Sequence, residues 1–297
     1  HRKMKAPNRP KILCNITLSR LLPLATHRQE SKNGDMSDYP TTGAKPADGP
    51  EVIPAATLVI FRNAASGPPE LLMVQRSREM RFAGGAAVFP GGRIDPADRT
   101  LAKALNPEAD QELASARIAA IRETLEETGL AVAVREPVSA QQAAAARARL
   151  LEKGELAPIL QEFGWTLEPE RLALYAHWCP PFARAFDTRF FVIDLGTGAV
   201  DITVDATENT KLFWSSAANA LNLADRGEIS IIFPTRRNLE RLAQFTTFGD
   251  TLADIVRHPV VRICPKQVER DGEVWVQIPD GHGYPVLGQP LATAARS

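Results

Sequence analysis

From Val52 onward, short apolar runs alternate with polar, turn-forming stretches, and the spacing of the apolar positions assigns most elements. Ala55 to Phe61 and Leu71 to Val74 are apolar and β-prone, and the turn formers from Asn63 to Pro69 between them predict a hairpin. Val88-Phe89 leads into Pro90-Gly91-Gly92, a strand ending in a glycine bend. A helical pattern covers about 109 to 128: Ile118, Ile121 and Leu125 fall three and four apart and form one apolar stripe, and Gly129 follows where a stopping glycine belongs. Leu130 to Val134 reads as a short strand, and the Ala-, Gln-, Arg- and Leu-rich stretch 139–163 as one or two surface helices. Strands are expected at about 171–177, 189–195 and 208–214, helices at 216–225, 235–245 and 249–257, and a last hairpin within 260–280. Strands interleaved with helices predict a layered α/β domain.

The first 50 residues have a different texture. They are rich in Pro, Lys, Arg, Ser, Asn and Thr, which predicts a disordered extension over 1–50, a folded domain over 51–285 and a flexible tail over 286–297. No acid precedes Glu30, and Leu18 to Ala25 is an apolar run broken by Arg20 and Pro23, so the segment reads either as a mitochondrial-type targeting sequence or as an extension ahead of a natural start at Met36. The second reading implies a cytoplasmic protein. Over the whole chain, 35 basic side chains balance 35 acidic ones, so no net field draws in nucleic acid or an anionic membrane, and neither is expected as a partner. The three cysteines, Cys14, Cys179 and Cys264, form no C-x-x-C pair and no disulfide framework. No apolar run reaches the roughly 18 residues of a membrane-spanning helix.

The chemistry concentrates in Arg122-Glu123-Thr124-Leu125-Glu126-Glu127-Thr128-Gly129-Leu130. Glu123, Glu126 and Glu127 stand at i, i+3 and i+4, so their carboxylates share one helix face. Read alone, this is a solvated acidic face. Read as a ligand set, it offers hard oxygens suited to Mg²⁺ or Mn²⁺, with Arg122 placed to brace a glutamate. Upstream, Arg76-Ser77, Arg81, Gly85 and Phe89-Pro90-Gly91-Gly92 make a second motif of regular spacing, with Asp95 three residues beyond.

The first motif resembles the second half of the Nudix box, R-E-U-x-E-E-x-G-U, departing only at Thr124, where the family has an aliphatic residue. Gly91-Gly92 resemble the glycines that open the box, but Arg122 follows Gly92 by thirty positions, roughly sixteen more than in the family. Ala114 stands where the family's first glutamate should be, with Glu108, Asp110 and Glu112 as open substitutes. The second motif is similar to the signature of coenzyme A diphosphatases. With the long insertion, the chain most resembles the Nudix-type-19 branch, as do, more loosely, Phe186-Asp187-Thr188-Arg189-Phe190-Phe191 and Pro234-Thr235-Arg236-Arg237-Asn238-Leu239.

The resemblance implies an α/β/α sandwich with a mixed sheet, decorated by the insertion at about 96–112 and by extra helices. It implies a diphosphatase for a small-molecule substrate, coenzyme A or acyl-CoA first, with an ADP-ribose or NADH pyrophosphatase and a non-catalytic binding module as alternatives. Glu123, Glu126, Glu127 and the Gly91 carbonyl would hold Mg²⁺ or Mn²⁺, and a homodimer is left open. Glu126 or Glu208, with Asp205 as runner-up to Glu208, would take the proton from water, and Arg122 would support the reacting glutamates. Arg76, Arg81 and Gly92 would meet substrate phosphates, guanidinium groups pairing bidentately with phosphate and glycine permitting close approach. Arg78, which the motif does not fix, is a weaker candidate. His177, His258 and His282 read as surface or core residues, Cys179 as no nucleophile, and Arg236-Arg237 either as an anion site at a helix start or as a solvated pair.

Overall fold

A computed structural model describes residues 52–77, 85–179, 186–196 and 209–294. In chain order these residues form β1 (Ile53–Arg62), β2 (Glu70–Arg76), β3 (Ala87–Val88), β4 (Gly91–Arg93), α1 (Pro96–Leu105), α2 (Gln111–Thr128), α3 (Ala140–Lys153) and α4 (Leu156–Phe163). After them come β5 (Ala173–Trp178), β6 (Phe186–Asp194), β7 (Asn209–Ser215), α5 (Ala217–Asp225), α6 (Phe233–Leu242) and α7 (Phe248–Arg257). The last elements are β8 (Arg262–Ile263), β9 (Lys266–Arg270), β10 (Glu273–Gln277), β11 (Gly288–Pro290) and α8 (Leu291–Ala294).

Strands β3-β2-β1-β6-β5-β8 lie in that order in one sheet, with β4 added on β1 and β7 on β2. The sheet is mixed: β1·β6 and β5·β8 are parallel, while β1·β2, β1·β4, β2·β7 and β5·β6 are antiparallel. β1 lies inside the sheet, and Ala55 to Phe61 is nearly continuous apolar residue because both of its faces are covered. Alternate residues split between two cores. Ala56, Leu58 and Ile60 join Phe191, Ile118, Ile121 and Leu125 beneath α2, while Val59 and Phe61 join Val192, Tyr175, Leu239 and Leu242 beneath α6. Helices on both faces of a mixed sheet give the expected α/β/α sandwich.

Several expectations need correction. Leu130 to Val134 is no strand: Val134 makes a single bridge to Leu167, and Ala133 has φ 53. The segment buries its apolar side chains as a loop. The residues expected as a flexible tail are ordered to Ala294, where β11 pairs with β10 and Gln289 accepts from Arg237 at 2.9 Å. The insertion is more than decoration, because its helix α1 packs on α2 and supplies a buried carboxylate described below. Residues 1–50 lie outside the described residues. No helix among the described residues is long and apolar enough to cross a membrane.

Candidate active site

Helix α2 is fixed at both ends. The Asp110 carboxylate caps its start, accepting from the Glu112 and Leu113 amides at 3.0 and 3.1 Å, and Gly129 ends it in the left-handed conformation at φ 76. Arg147 of α3 donates to the carbonyl of Glu126 at 2.8 Å, placing a cation on the negative end of the helix. Thr124, the odd residue of the motif, is fully buried, and its hydroxyl is satisfied by the Ala120 carbonyl at 2.7 Å. The substitution therefore leaves no orphaned polar group in the core.

This helix carries its carboxylates to the glycine bend. Glu127 accepts the Gly91 amide through Oε2 at 3.0 Å. Glu123 lies directly against Gly92: a Cβ there would fall 2.3 Å from Glu123 Oε1. Gly91 is needed for another reason, since a Cβ at that residue would fall 2.4 Å from the Ala56 carbonyl oxygen, where β4 pairs with β1. The two glycines thus do separate jobs, Gly91 letting two strands approach and Gly92 making room for a glutamate. The Leu58 amide donates to the Pro90 carbonyl at 2.9 Å, and Phe89 is buried in the core beneath α6, so both shape the bend.

Arg122 organises the cluster from below. Its Nε and Nη2 donate to the two oxygens of Asp98, each at 3.0 Å, Nη2 also donates to the Arg93 carbonyl at 2.9 Å, and Nη1 donates to Glu123 Oε1 at 3.0 Å and Glu126 Oε2 at 3.2 Å. With its side chain 4% exposed and both edges of the fork engaged, the guanidinium acts through the glutamates it holds. Burial alone would lower its pKa, but the Asp98 hydrogen bond and the charges of Glu123, Asp98 and Glu126 raise it, so it stays charged. Burial pushes Glu123 up to about 8, against the pull of Arg122 and helped by repulsion from Glu127 and Glu126. Burial likewise raises Glu126, with Arg122 opposing.

Asp98 was not singled out in the sequence. It is 1% exposed and comes from the insertion, where Asp95-Pro96-Ala97-Asp98 is a helix-start pattern; the Asp95 amide donates to Asp98 Oδ2 at 2.9 Å. None of the acids proposed in place of Ala114 plays this part: Asp110 caps α2, Glu112 pairs with Arg99 at 2.7 Å, and Glu108 is exposed. Arg76 ends β2, its amide donating to the Ala86 carbonyl at 2.9 Å, and its buried Nε has no hydrogen-bond partner. Arg78, Arg81, Asp205 and Glu208 lie outside the described residues.

The donor chemistry, two carboxylates against a glycine bend and a third, Glu126, held by the arginine that also holds Glu123, is that of hard oxygen ligands suited to a dication. In their present rotamers, however, Glu123 and Glu126 turn to Arg122 and Glu127 turns to Gly91. Among the described residues no three His, Cys, Asp or Glu side chains converge closely enough to hold a metal ion. Holding one would require these carboxylates to exchange present hydrogen bonds for the ion.

The remaining candidates are structural or paired. Burial raises the Cys179 thiol to about 12, and Arg262 Nη2 donates to its sulfur at 2.8 Å. His177 and His258 are each paired, to Asp187 at 2.6 Å and to Asp254 at 2.8 Å. Arg236-Arg237 is not a solvated pair: Arg236 bonds Asp225 at 2.6 Å, and the buried Arg237 bonds Glu240 and Gln289.

Residues 52–150 match the family model of the NUDIX domain, a span that contains the bend, the inserted helix and the glutamate helix. The chain carries a Nudix domain. A NUDIX hydrolase from Alicyclobacillus acidocaldarius is 29% identical, and the match covers 69% of this chain and 96% of that one at a TM-score of 0.60. The Nudix fold and the hydrolase class expected from the sequence both stand on these two findings. More distant matches, an Ap4A hydrolase from C. elegans (20% identity, 60% and 89% of the two chains, TM-score 0.33) and a MutT protein from Methanosarcina mazei Go1 (16%, 67% and 97%, TM-score 0.38), add nothing to the assignment.

Proposed function

We propose that this Nudix hydrolase cleaves the diphosphate of coenzyme A or an acyl-CoA, giving 3′,5′-ADP and 4′-phosphopantetheine or its acyl form. The observation that carries a diphosphatase is the meeting of Glu127 with the Gly91 amide and of Glu123 with Gly92, which gathers acidic oxygens at a bend where backbone can approach phosphate closely. The choice of coenzyme A rests on the spacing of Arg76, Arg81 and Gly85 ahead of that bend.

Glu123, Glu126 and Glu127 would hold Mg²⁺ or Mn²⁺, with the Gly91 carbonyl as a further donor. Such an ion polarises phosphoryl oxygens and makes a bound water more acidic. Arg122 positions Glu123 and Glu126 and is itself held by Asp98. Glu126, or Glu208, takes a proton from the attacking water. Water oxygen bonds to one phosphorus, the bridging P–O bond breaks, and the other phosphate leaves with the electron pair, without a covalent enzyme intermediate. Arg76, Arg81 and the backbone at Gly92 orient the phosphates.

Mass spectrometry of the products formed from coenzyme A in H₂¹⁸O tests this directly. The expected result is 3′,5′-ADP and 4′-phosphopantetheine with ¹⁸O in only one of them. Rapid turnover of ADP-ribose with none of coenzyme A would overturn the substrate.

A further inference from the structure

The register of the sheet extends the candidate site sideways. Gly92 pairs with Ala56, Ala56 with Arg189, Arg189 with His177, and His177 with Arg262. These five residues form one row across β4, β1, β6, β5 and β8. Arg189 lies two interstrand spacings from Gly92, about 10 Å between backbones. Its side chain is on the α2 face of the sheet: its partner Ala56 is in the core beneath α2, and so is Phe191, two residues further along β6. Ala56 and Phe191 are fully covered and Arg189 is half-buried, so it stands where that cover stops.

The charges along this row are unequal. Asp187 takes His177 Nε2 at 2.6 Å and Arg262 Nη2 at 3.1 Å, which commits its two oxygens to those partners. No hydrogen bond or ion pair holds Arg189 among the described residues, whereas the buried Arg122 and the half-buried Arg147 beside the glutamates are both held by hydrogen bonds. A partly buried guanidinium beside a site for anions, with no carboxylate of its own, gains most from an anion brought by a ligand.

We infer that Arg189 is a substrate-binding residue of this site, gripping a phosphate of the nucleotide on the same face of the sheet as the glutamates, across β1 from the glycine bend. This deepens the diphosphatase reading and rests on it. The phosphate is either one arm of the diphosphate or a separate monophosphate on the ribose, and these two are chemically alike to a guanidinium.

The test compares wild type, Arg189→Ala and Arg189→Lys on coenzyme A and on its 3′-dephospho form, with binding of 3′,5′-ADP and of ADP measured by calorimetry. For Arg189→Ala on coenzyme A we expect KM to rise about 10- to 100-fold, kcat to stay within about threefold, and Arg189→Lys to fall between. A KM effect confined to coenzyme A assigns the ribose monophosphate; an equal effect on both substrates assigns the diphosphate. An unchanged KM, or a fall in kcat and melting temperature with KM constant, overturns the inference while the active wild type preserves the diphosphatase reading. If wild type hydrolyses neither substrate, the reading fails. The binding residue then stands only if Arg189→Ala still weakens 3′,5′-ADP or ADP at least about tenfold, and otherwise falls too.

Discussion

Asp98 and Arg122, 24 residues apart, meet through two parallel hydrogen bonds of 3.0 Å inside the protein, with Asp98 1% exposed. The pair ties α1 of the insertion to the helix that bears the glutamates. Removing one member of a buried ion pair strands the other, which costs about 3–5 kcal/mol. Asp98→Ala should therefore lower unfolding free energy by about that amount in urea titration. It should also cut diphosphatase activity roughly 10- to 100-fold at temperatures where the variant is still folded, because Arg122 would lose its orientation and release Glu123 and Glu126. Stability and activity both at wild-type level would show that the insertion is dispensable.

Gly91 and Gly92 are adjacent, yet alanine should affect them differently. At Gly92 the new Cβ meets the far end of Glu123, which can swing away, so Gly92→Ala should keep its melting temperature within a few degrees while losing most of its activity. At Gly91 the Cβ meets backbone atoms of Ala56 and Thr57, at 2.4 and 2.6 Å, which cannot move without parting β4 from β1. Gly91→Ala should lose stability first, by about 1–3 kcal/mol. Thermal melts beside activity assays separate the two, and identical behaviour of both variants would contradict the division of labour.

The hairpin, the glutamate helix and its stop were legible because local periodicity and turn chemistry agree with the tertiary environment there. Asp98 was not, since nothing in its immediate surroundings announces that a carboxylate will be buried against an arginine on a different helix. Only its place at N3 of a helix start was readable. Leu130 to Val134 misled for the opposite reason. Its apolar side chains do enter the core, but Gly129 turns the chain so that burial is achieved by a loop. The interest of Arg189 was likewise hidden, because it depends on a parallel pairing between β1 and β6 that no local pattern encodes.

Glu123 makes stability depend on pH in the metal-free protein. An ordinary glutamate releases its proton near 4.5, whereas folded Glu123 keeps it to about 8, burial being the first cause. Between these values the folded state binds a proton that the unfolded chain has given up, so this contribution is full below about pH 4.5 and is lost as pH rises through about 8. With a chelator present, the melting temperature of wild type should fall relative to Glu123→Gln as pH climbs through that window, and Mg²⁺ should reduce the gap. Parallel curves for the two proteins would show that Glu123 is not perturbed.

Glu127 provides the sharpest separation of fold from chemistry. Its Oε2 accepts the Gly91 amide, and a glutamine can accept the same hydrogen bond with its amide oxygen. Glu127→Gln therefore keeps the link between helix and bend while removing the negative charge. If the carboxylate serves only to fix the bend, the variant should hydrolyse diphosphates at close to the wild-type rate. If it helps to hold a dication, activity should fall by roughly three orders of magnitude with an unchanged melting temperature in chelator. The Mg²⁺-induced rise in melting temperature expected of wild type should shrink in parallel, because only a folded state that binds the ion is stabilised by it. We expect the second pattern, and retention of both activity and the Mg²⁺ response would remove Glu127 from the ligand set.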